Sequence, residues 1–186
     1  MRTDDLYSLP PNLPVPIDDG ACAQLDGSPI PPIKFRSTAG GTVDLSTLPG
    51  RVVVYVYPRT GLPDRPPPPS WDGIPGARGC TPQSCRFRDL HAEFAALGVK
   101  VFGLSTQPTA YQCEAAERLH LTFPLLSDEQ LELTHGWGLP TFVVGGEVLL
   151  KRLTVVLRDG RVEKVFYPVF PPTTNADEVL AWLRSQ

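Results

Sequence analysis

From Val52 to Tyr57 the chain runs six β-branched or aromatic residues without a polar interruption, bounded by Gly50 and Pro58. Such a run is expected of a strand buried on both faces of a sheet. Past Pro82 the period changes. Phe87, Leu90, Phe94 and Leu97 recur at three- and four-residue steps, which predicts a helix with one apolar face, and Gly98 stops it. Pro82 suits the first helical turn, with Thr81 as its cap. Val99–Leu104 is the next buried strand, Ala110–Leu119 a helix opening after Pro108, and Asp128–His135 a shorter helix. Upstream, a short strand at Ile33–Phe35 precedes a turn at Gly40-Gly41 and the polar segment Thr42–Ser46. Downstream, Thr141–Val144 and Val148–Leu150 flank Gly145-Gly146 as a hairpin; Lys151–Leu157 and Arg161–Phe166 flank Arg158-Asp159-Gly160 as another. Asn175–Leu183 closes the chain as a helix with Asn175 near its cap. This order predicts an α/β fold with a central mixed sheet flanked by helices.

The prolines change the picture at two places. Pro10, Pro11, Pro14 and Pro16 block helix and central strand alike, so residues 1–30 read as a leader, extended over the domain or disordered, and residues 31–186 as the domain itself. The stretch 58–79, with Pro66-Pro67-Pro68-Pro69 and Trp71, reads as a long inserted loop. It is either a stiff surface spacer or a lid or docking surface beside the cysteines that follow it. A chain of 186 residues, 41% hydrophobic and 20% charged, fits one soluble globular domain. Net charge −3 and a pI near 5.6 argue against non-specific binding to nucleic acid or anionic membrane, and no apolar run reaches bilayer length. The first thirty residues lack the positive and apolar regions of a secretory signal, which points to the cytoplasm. Four cysteines are too few for a disulfide framework, and in a reducing compartment a close pair is more often redox-active or metal-binding than structural.

That pair lies in Gly79-Cys80-Thr81-Pro82-Gln83-Ser84-Cys85-Arg86-Phe87-Arg88-Asp89. A thiol at a helix start sits where unpaired N–H groups and the positive helix end favour its thiolate. Residues five apart in an intact helix have Cα atoms about 8.6 Å apart. A disulfide tolerates at most roughly 7 Å, so oxidation to Cys80–Cys85 has to reshape the first turn. If the helix starts at Pro82, less has to move. Zinc is the chemical alternative, but it would need Cys22, Cys113 or one of His91, His120 and His135, and there is no second close pair. Cys22, Cys113 and the histidines read as bystanders.

The segment resembles the active-site run of peroxiredoxins, and its cysteine spacing resembles the bacterioferritin-comigratory (peroxiredoxin Q) group. Glu93-Phe94, Leu97-Gly98-Val99, Val101–Ser105, Phe123–Asp128 and Arg152–Gly160 are similar to that family's segments in the same order. The resemblance implies a thioredoxin-like fold and a thiol peroxidase acting on hydrogen peroxide or organic hydroperoxides, without metal or organic cofactor. It implies that Cys80 is the peroxidatic and Cys85 the resolving cysteine of an intramolecular disulfide, and that thioredoxin or a similar dithiol resets them. Arg152 matches the family's arginine beside the thiolate, and Pro58 its loop-opening proline; Gly79 and Thr81 flank the thiol and join the peroxide-binding set. Where the family carries a proline seven residues and a threonine three residues before the cysteine, this chain has Gly73 and Ala77, because about fifteen residues are inserted after Pro58. Thr60 is the candidate to supply the displaced hydroxyl. With an intramolecular resolving thiol, a monomer is expected. The rival is a redox-responsive binding protein using the same switch with little turnover.

Overall fold

The computed structural model describes residues 8–186. A seven-stranded sheet runs in the order β2 (Thr42–Asp44), β1 (Lys34–Ser37), β5 (Leu125–Ser127), β4 (Lys100–Ser105), β3 (Arg51–Val56), β8 (Leu153–Arg158), β9 (Arg161–Phe166). β3 pairs parallel with β4 and antiparallel with β8, and β4 pairs parallel with β5, so the sheet is mixed. The predicted fold class is the observed one. The hairpin β6 (Thr141–Val144) and β7 (Glu147–Leu150) forms a separate two-stranded sheet.

Alternation along β3 divides the core. Val52, Val54 and Val56 face one cluster with Phe35, Leu104, Val155, Leu133 and Trp137, and this face also buries Cys22, Leu25 and Ile30. Val53, Tyr55 and Tyr57 face the other cluster, which α1 (Cys80–Asp89), α2 (His91–Ala96) and α5 (Asn175–Arg184) fill with Phe87, Phe94, Val179, Leu180 and Leu183. Tyr55 stacks on Phe87 with ring centroids 4.4 Å apart. Gly103 on β4 makes room for this stack, since a Cβ there would stand 2.7 Å from the Tyr55 ring. α3 (Thr109–Arg118) and α4 (Glu132–Gly136) complete the flanks.

Four local expectations change. The helix starts at Cys80, not Pro82, and the cap position is Gly79 rather than Thr81. Gly79 sits at φ 105°, a left-handed conformation, and a Cβ there would press on Pro172 and Leu9, so no side chain fits. The apolar stripe is not one helix: Leu90 leaves helical geometry and separates α1 from α2. Phe87, Leu90 and Phe94 are buried as the stripe predicts, but Leu97 is 44% exposed because it lies beyond α2. α4 starts at Glu132 rather than Asp128; Asp128 instead accepts the N–H groups of Leu133 and Thr134 from in front of the helix. The segment before it, Leu125–Ser127, is a strand that its hydrophobic pattern had not disclosed.

Candidate active site

Three elements converge on the Cys80 sulfur. α1 carries Cys80 as its first residue, the loop Gly76–Gly79 leads into it, and Arg152 reaches it from just before β8. Arg152 is 3% exposed. Its Nη2 donates to Cys80 Sγ at 3.1 Å and to the carbonyls of Ala77 and Arg78 at 3.0 and 3.3 Å, and its Nε donates to Gly76 O at 3.3 Å. Its Nη1 donates to Gln83 Oε1. The arrangement follows from burial: a guanidinium with five N–H groups, out of water, has to be met on every side.

Gln83 extends the network. It is fully buried on α1, and its Nε2 donates to Asn175 Oδ1 at 2.9 Å, which also accepts from Thr154 Oγ1 at 2.7 Å. Arg152 and Thr154 flank the start of β8, and Asn175 is the first residue of α5, so the network joins sheet, α1 and α5. Asn175 stands next to the cap residue Thr174, near the cap as expected, and works from inside the helix. Neither periodicity nor the family resemblance assigns a role to Gln83 or Thr154.

The remaining predicted residues divide. Gly79 and Thr81 line a cavity of about 60 Å³ with Cys80. Pro58 is buried two residues past β3. Thr60 is buried, but its hydroxyl and N–H both go to Gln107 Oε1, at 3.3 and 2.9 Å, and it is not among the residues lining the cavity. Ala77 offers its carbonyl to Arg152 and, at 3.7 Å, to the Cys80 thiol. Cys80 and Cys85 are both free thiols on the same helix. Burial pushes the Cys85 thiol above its ordinary value. Cys22 is buried, and desolvation together with Asp19 and Asp18 pushes its thiol up to about 12; Cys113 is exposed on α3. Among the described residues no group of three or more His, Cys, Asp and Glu is gathered as a metal site.

The inserted loop lies beside Cys80. Arg59, Leu62, Arg65, Pro66–Pro68 and Trp71 line the same cavity as Cys80. The loop is stapled at both ends and in the middle. Tyr111 Oη and Arg118 Nη2 on α3 donate to Thr60 O and Gly61 O at 3.2 and 2.9 Å, and Arg152 holds the carbonyls of residues 76–78. Between them Trp71 is buried beside Phe142 and Leu149 of the β6–β7 hairpin. No helix of the described residues is long and apolar enough to cross a membrane.

Comparison with known proteins gives the same answer from outside. Residues 25–180 match the Redoxin family. A chloroplastic peroxiredoxin Q of Sedum lineare is 35% identical over 161 residues, covering 86% of this chain and 77% of the relative. The putative peroxiredoxin MT1643 of Mycobacterium tuberculosis is 34% identical over 137 residues, covering 73% of this chain and 79% of the relative. The crystal structure of peroxidoxin BcpB from Mycobacterium tuberculosis superposes with a TM-score of 0.70 at 30% identity, covering 86% of this chain and 96% of that one.

Proposed function

The chain belongs to the redoxin family and is a peroxiredoxin of the peroxiredoxin Q type, and from that premise we propose that it reduces hydrogen peroxide and organic hydroperoxides through Cys80, with Cys85 as the resolving thiol. The observation that carries this reading is the 3.1 Å contact from Arg152 Nη2 to a buried Cys80 Sγ at the start of α1. A guanidinium at that distance is a charge-assisted donor to the sulfur, and the thiolate is the reacting form. Cys80 Sγ gives an electron pair to one peroxide oxygen, the O–O bond breaks, and the departing oxygen leaves as alcohol or water after taking a proton. The sulfur is left as sulfenic acid. Arg152 and the N–H groups of Cys80 and Thr81, which no side chain caps, meet the charge that builds on the departing oxygen. Pro82 has no N–H to add.

In the second step Cys85 attacks the Cys80 sulfur, the S–S bond forms, and the sulfenic oxygen leaves as water. Both thiols lie on one regular helix, so α1 has to unwind locally, as the roughly 8.6 Å Cα separation requires. A thioredoxin-type dithiol then reduces the disulfide by exchange. Because both thiols are on one chain, a monomer suffices for the cycle. The reducing cytoplasm is the compartment that suits free Cys22 and Cys113. Thr60 enters the reaction only if its bond to Gln107 is released, and we give it the lesser part.

Purified protein with thioredoxin, its reductase and NADPH is expected to consume many equivalents of hydrogen peroxide. Cys85→Ser is expected to keep the first oxidation fast, to lose thioredoxin-dependent turnover by at least roughly tenfold, and to gain two oxygens by mass as Cys80 climbs to the sulfinic acid. Normal turnover in that variant without over-oxidation would remove Cys85 from the cycle. A single stoichiometric oxidation of the wild type would remove the peroxidase itself.

A further inference from the structure

The chain ahead of β1 is tied to the domain at one end and reaches the cysteine loop with the other. Beyond Asp19 it is built into the core: Cys22, Leu25 and Ile30 are buried, Gly27 N donates to Val162 O at 3.2 Å, and Ile30 N donates to Gly160 O at 2.9 Å. Asp19 accepts from Lys151 Nζ and from Tyr167 Oη, both at 2.8 Å. These bonds, that of Lys151 foremost, hold its carboxyl down at about 2, so the anchor is ionised at neutral pH. Lys151 is the residue directly before Arg152. Residues 8–17 have neither helix nor strand, and Pro10, Pro11, Pro14 and Pro16 stiffen them. They meet the loop before α1 at two glycines. A Cβ on Gly76 would stand 3.4 Å from Pro16 Cγ, and Gly76 O is the carbonyl that takes the Arg152 Nε–H at 3.3 Å. A Cβ on Gly79 would stand 2.8 Å from Leu9 Cδ2, with Pro172 pressing there as well.

Both glycines have left-handed backbone, with φ 74° and 105°, and neither has a side chain of its own to hold it there. The helix start lacks a side-chain cap too. Gly79 O accepts the Gln83 N–H at 3.1 Å, but no side chain at position 79 bonds back to the first turn. The place of Gly79, and of the cysteine after it, therefore depends on what packs against it from outside. We infer that residues 8–17 form a strap that positions Cys80: Leu9 on Gly79 and Pro16 on Gly76 hold the loop where Arg152 meets the sulfur, and the strap comes off when α1 unwinds to form the Cys80–Cys85 disulfide. This rests on the peroxidase reading above and adds a positioning segment to it. Leu9 and Pro16 do not line the cavity over Cys80, so they act through the loop, and the bond changes at sulfur are those already given. The coupling runs both ways. A contact made only with the formed first turn favours that turn, and undoing the turn removes the contact. The strap thus favours oxidation of Cys80 and opposes closure of the disulfide.

Two measurements on the full chain test this. In the wild type, reduced and then converted to the disulfide with hydrogen peroxide, the backbone amides of Leu9, Asn12, Leu13, Val15 and Ile17 are followed by the nitrogen–proton NOE. They are expected to be rigid in the reduced protein and mobile in the disulfide form, while Leu25 and Ile30 stay rigid in both. In Leu9→Ala, rapid-quench mass spectrometry is expected to show the first oxidation of Cys80 slowed by about fivefold, because a shifted loop misaims the sulfur, and disulfide formation quickened by about threefold. Leu9→Ile, which refills the contact, should bring both rates back to within about twofold of the wild type. A variant that is only destabilised does not move the two steps in opposite directions. If the wild type does not consume hydrogen peroxide over many turnovers, the peroxidase reading falls and this inference with it. If it does, but the leader amides stay rigid in the disulfide form, or Leu9→Ala leaves both rates unchanged or slows both, the strap alone is overturned.

Discussion

The two halves of α1 are held in different ways. The first turn, Cys80 to Ser84, is buried throughout, and its polar groups are met by directional partners: Arg152 on Cys80 and Gln83, Asn175 on Gln83, and Tyr55 Oη on Ser84 Oγ at 3.0 Å. The second half, from Cys85 to Asp89, is covered rather than oriented. Phe87 is buried against Tyr55 and Phe94, while Arg86 and Arg88 reach exposed carboxylates, Asp177 and Asp89. Directional bonds in a dry site fix angles, and satisfied buried networks are stiff. Apolar burial fixes location but tolerates small rotations, and exposed ion pairs hold little. The end that has to aim a sulfur at a peroxide is therefore the rigid one. The end that has to bring its thiol toward the other is the more compliant one.

The largest break in this comparison is Arg152→Ala. It removes the cation at the sulfur and strips partners from Gln83 and from three loop carbonyls. The first oxidation of Cys80, followed by rapid-quench mass spectrometry, is expected to slow by about 10²–10³-fold, as for loss of a donor at a developing oxyanion. Arg152→Lys, which keeps a charge but not the planar fork, should recover only part of it. Full speed in either variant would mean that the sulfur does not depend on this guanidinium.

Next in size is Gln83→Ala, which leaves Arg152 in place but takes away the link to Asn175 and Thr154. Loss of a buried bridging amide is expected to cost roughly 1–3 kcal/mol in denaturant unfolding. Its kinetic effect should have opposite signs on the two steps. The first oxidation slows by about tenfold because Arg152 is less well aimed, and disulfide formation speeds up because the first turn is easier to unwind. Slowing of both steps would show general damage and would count against a stiff first turn as the barrier to the second.

Gln83 also shows how far the sequence reached. The six-residue apolar run, the helical stripe and the Arg158-Asp159-Gly160 turn carry their signals locally; β3 and the β8–β9 hairpin lie where those signals put them, and the stripe marks helical chain, though as the α1–α2 pair rather than one helix. Cys80 and Arg152, seventy-two residues apart, could be linked only through family likeness, because periodicity says nothing about which residues meet across a fold. Gln83 left a trace that was readable: it stands four residues before Phe87, a polar residue on the apolar stripe, which calls for a buried partner. Asn175 and Thr154 left none, since an asparagine at a helix start and a strand threonine are ordinary where they stand. The helix start was misplaced because Pro82 is a common N-terminal signal, whereas the close packing of Pro172 and Leu9 on Gly79 is a tertiary fact. The loop's placement was equally illegible, because prolines report stiffness and not direction.

The smallest expected effect sharpens the other half of the helix. Arg86 joins α1 to the first turn of α5 through Asp177, with side chains 41% and 44% exposed, so solvent screens the pair and it contributes on the order of 0.2–1 kcal/mol. Arg86 holds the Asp177 carboxyl below its ordinary value of 3.8. A carboxyl depressed by folding contributes its stability in full above the unfolded value and loses it as pH falls through the lower folded one. Arg86→Ala should therefore differ from the wild type in stability at neutral pH and converge with it once pH has fallen through the lowered Asp177 value of the wild type, where Asp177 is protonated in both. At neutral pH the variant should leave Cys80 oxidation within about twofold, since no bond to the sulfur or to Arg152 is touched. It should speed disulfide formation by up to about threefold, an effect that added salt reproduces in the wild type, as screening of an exposed pair requires. If Arg86→Ala slows the first oxidation as strongly as Gln83→Ala, the two halves of α1 are not mechanically distinct, and the helix moves as one body.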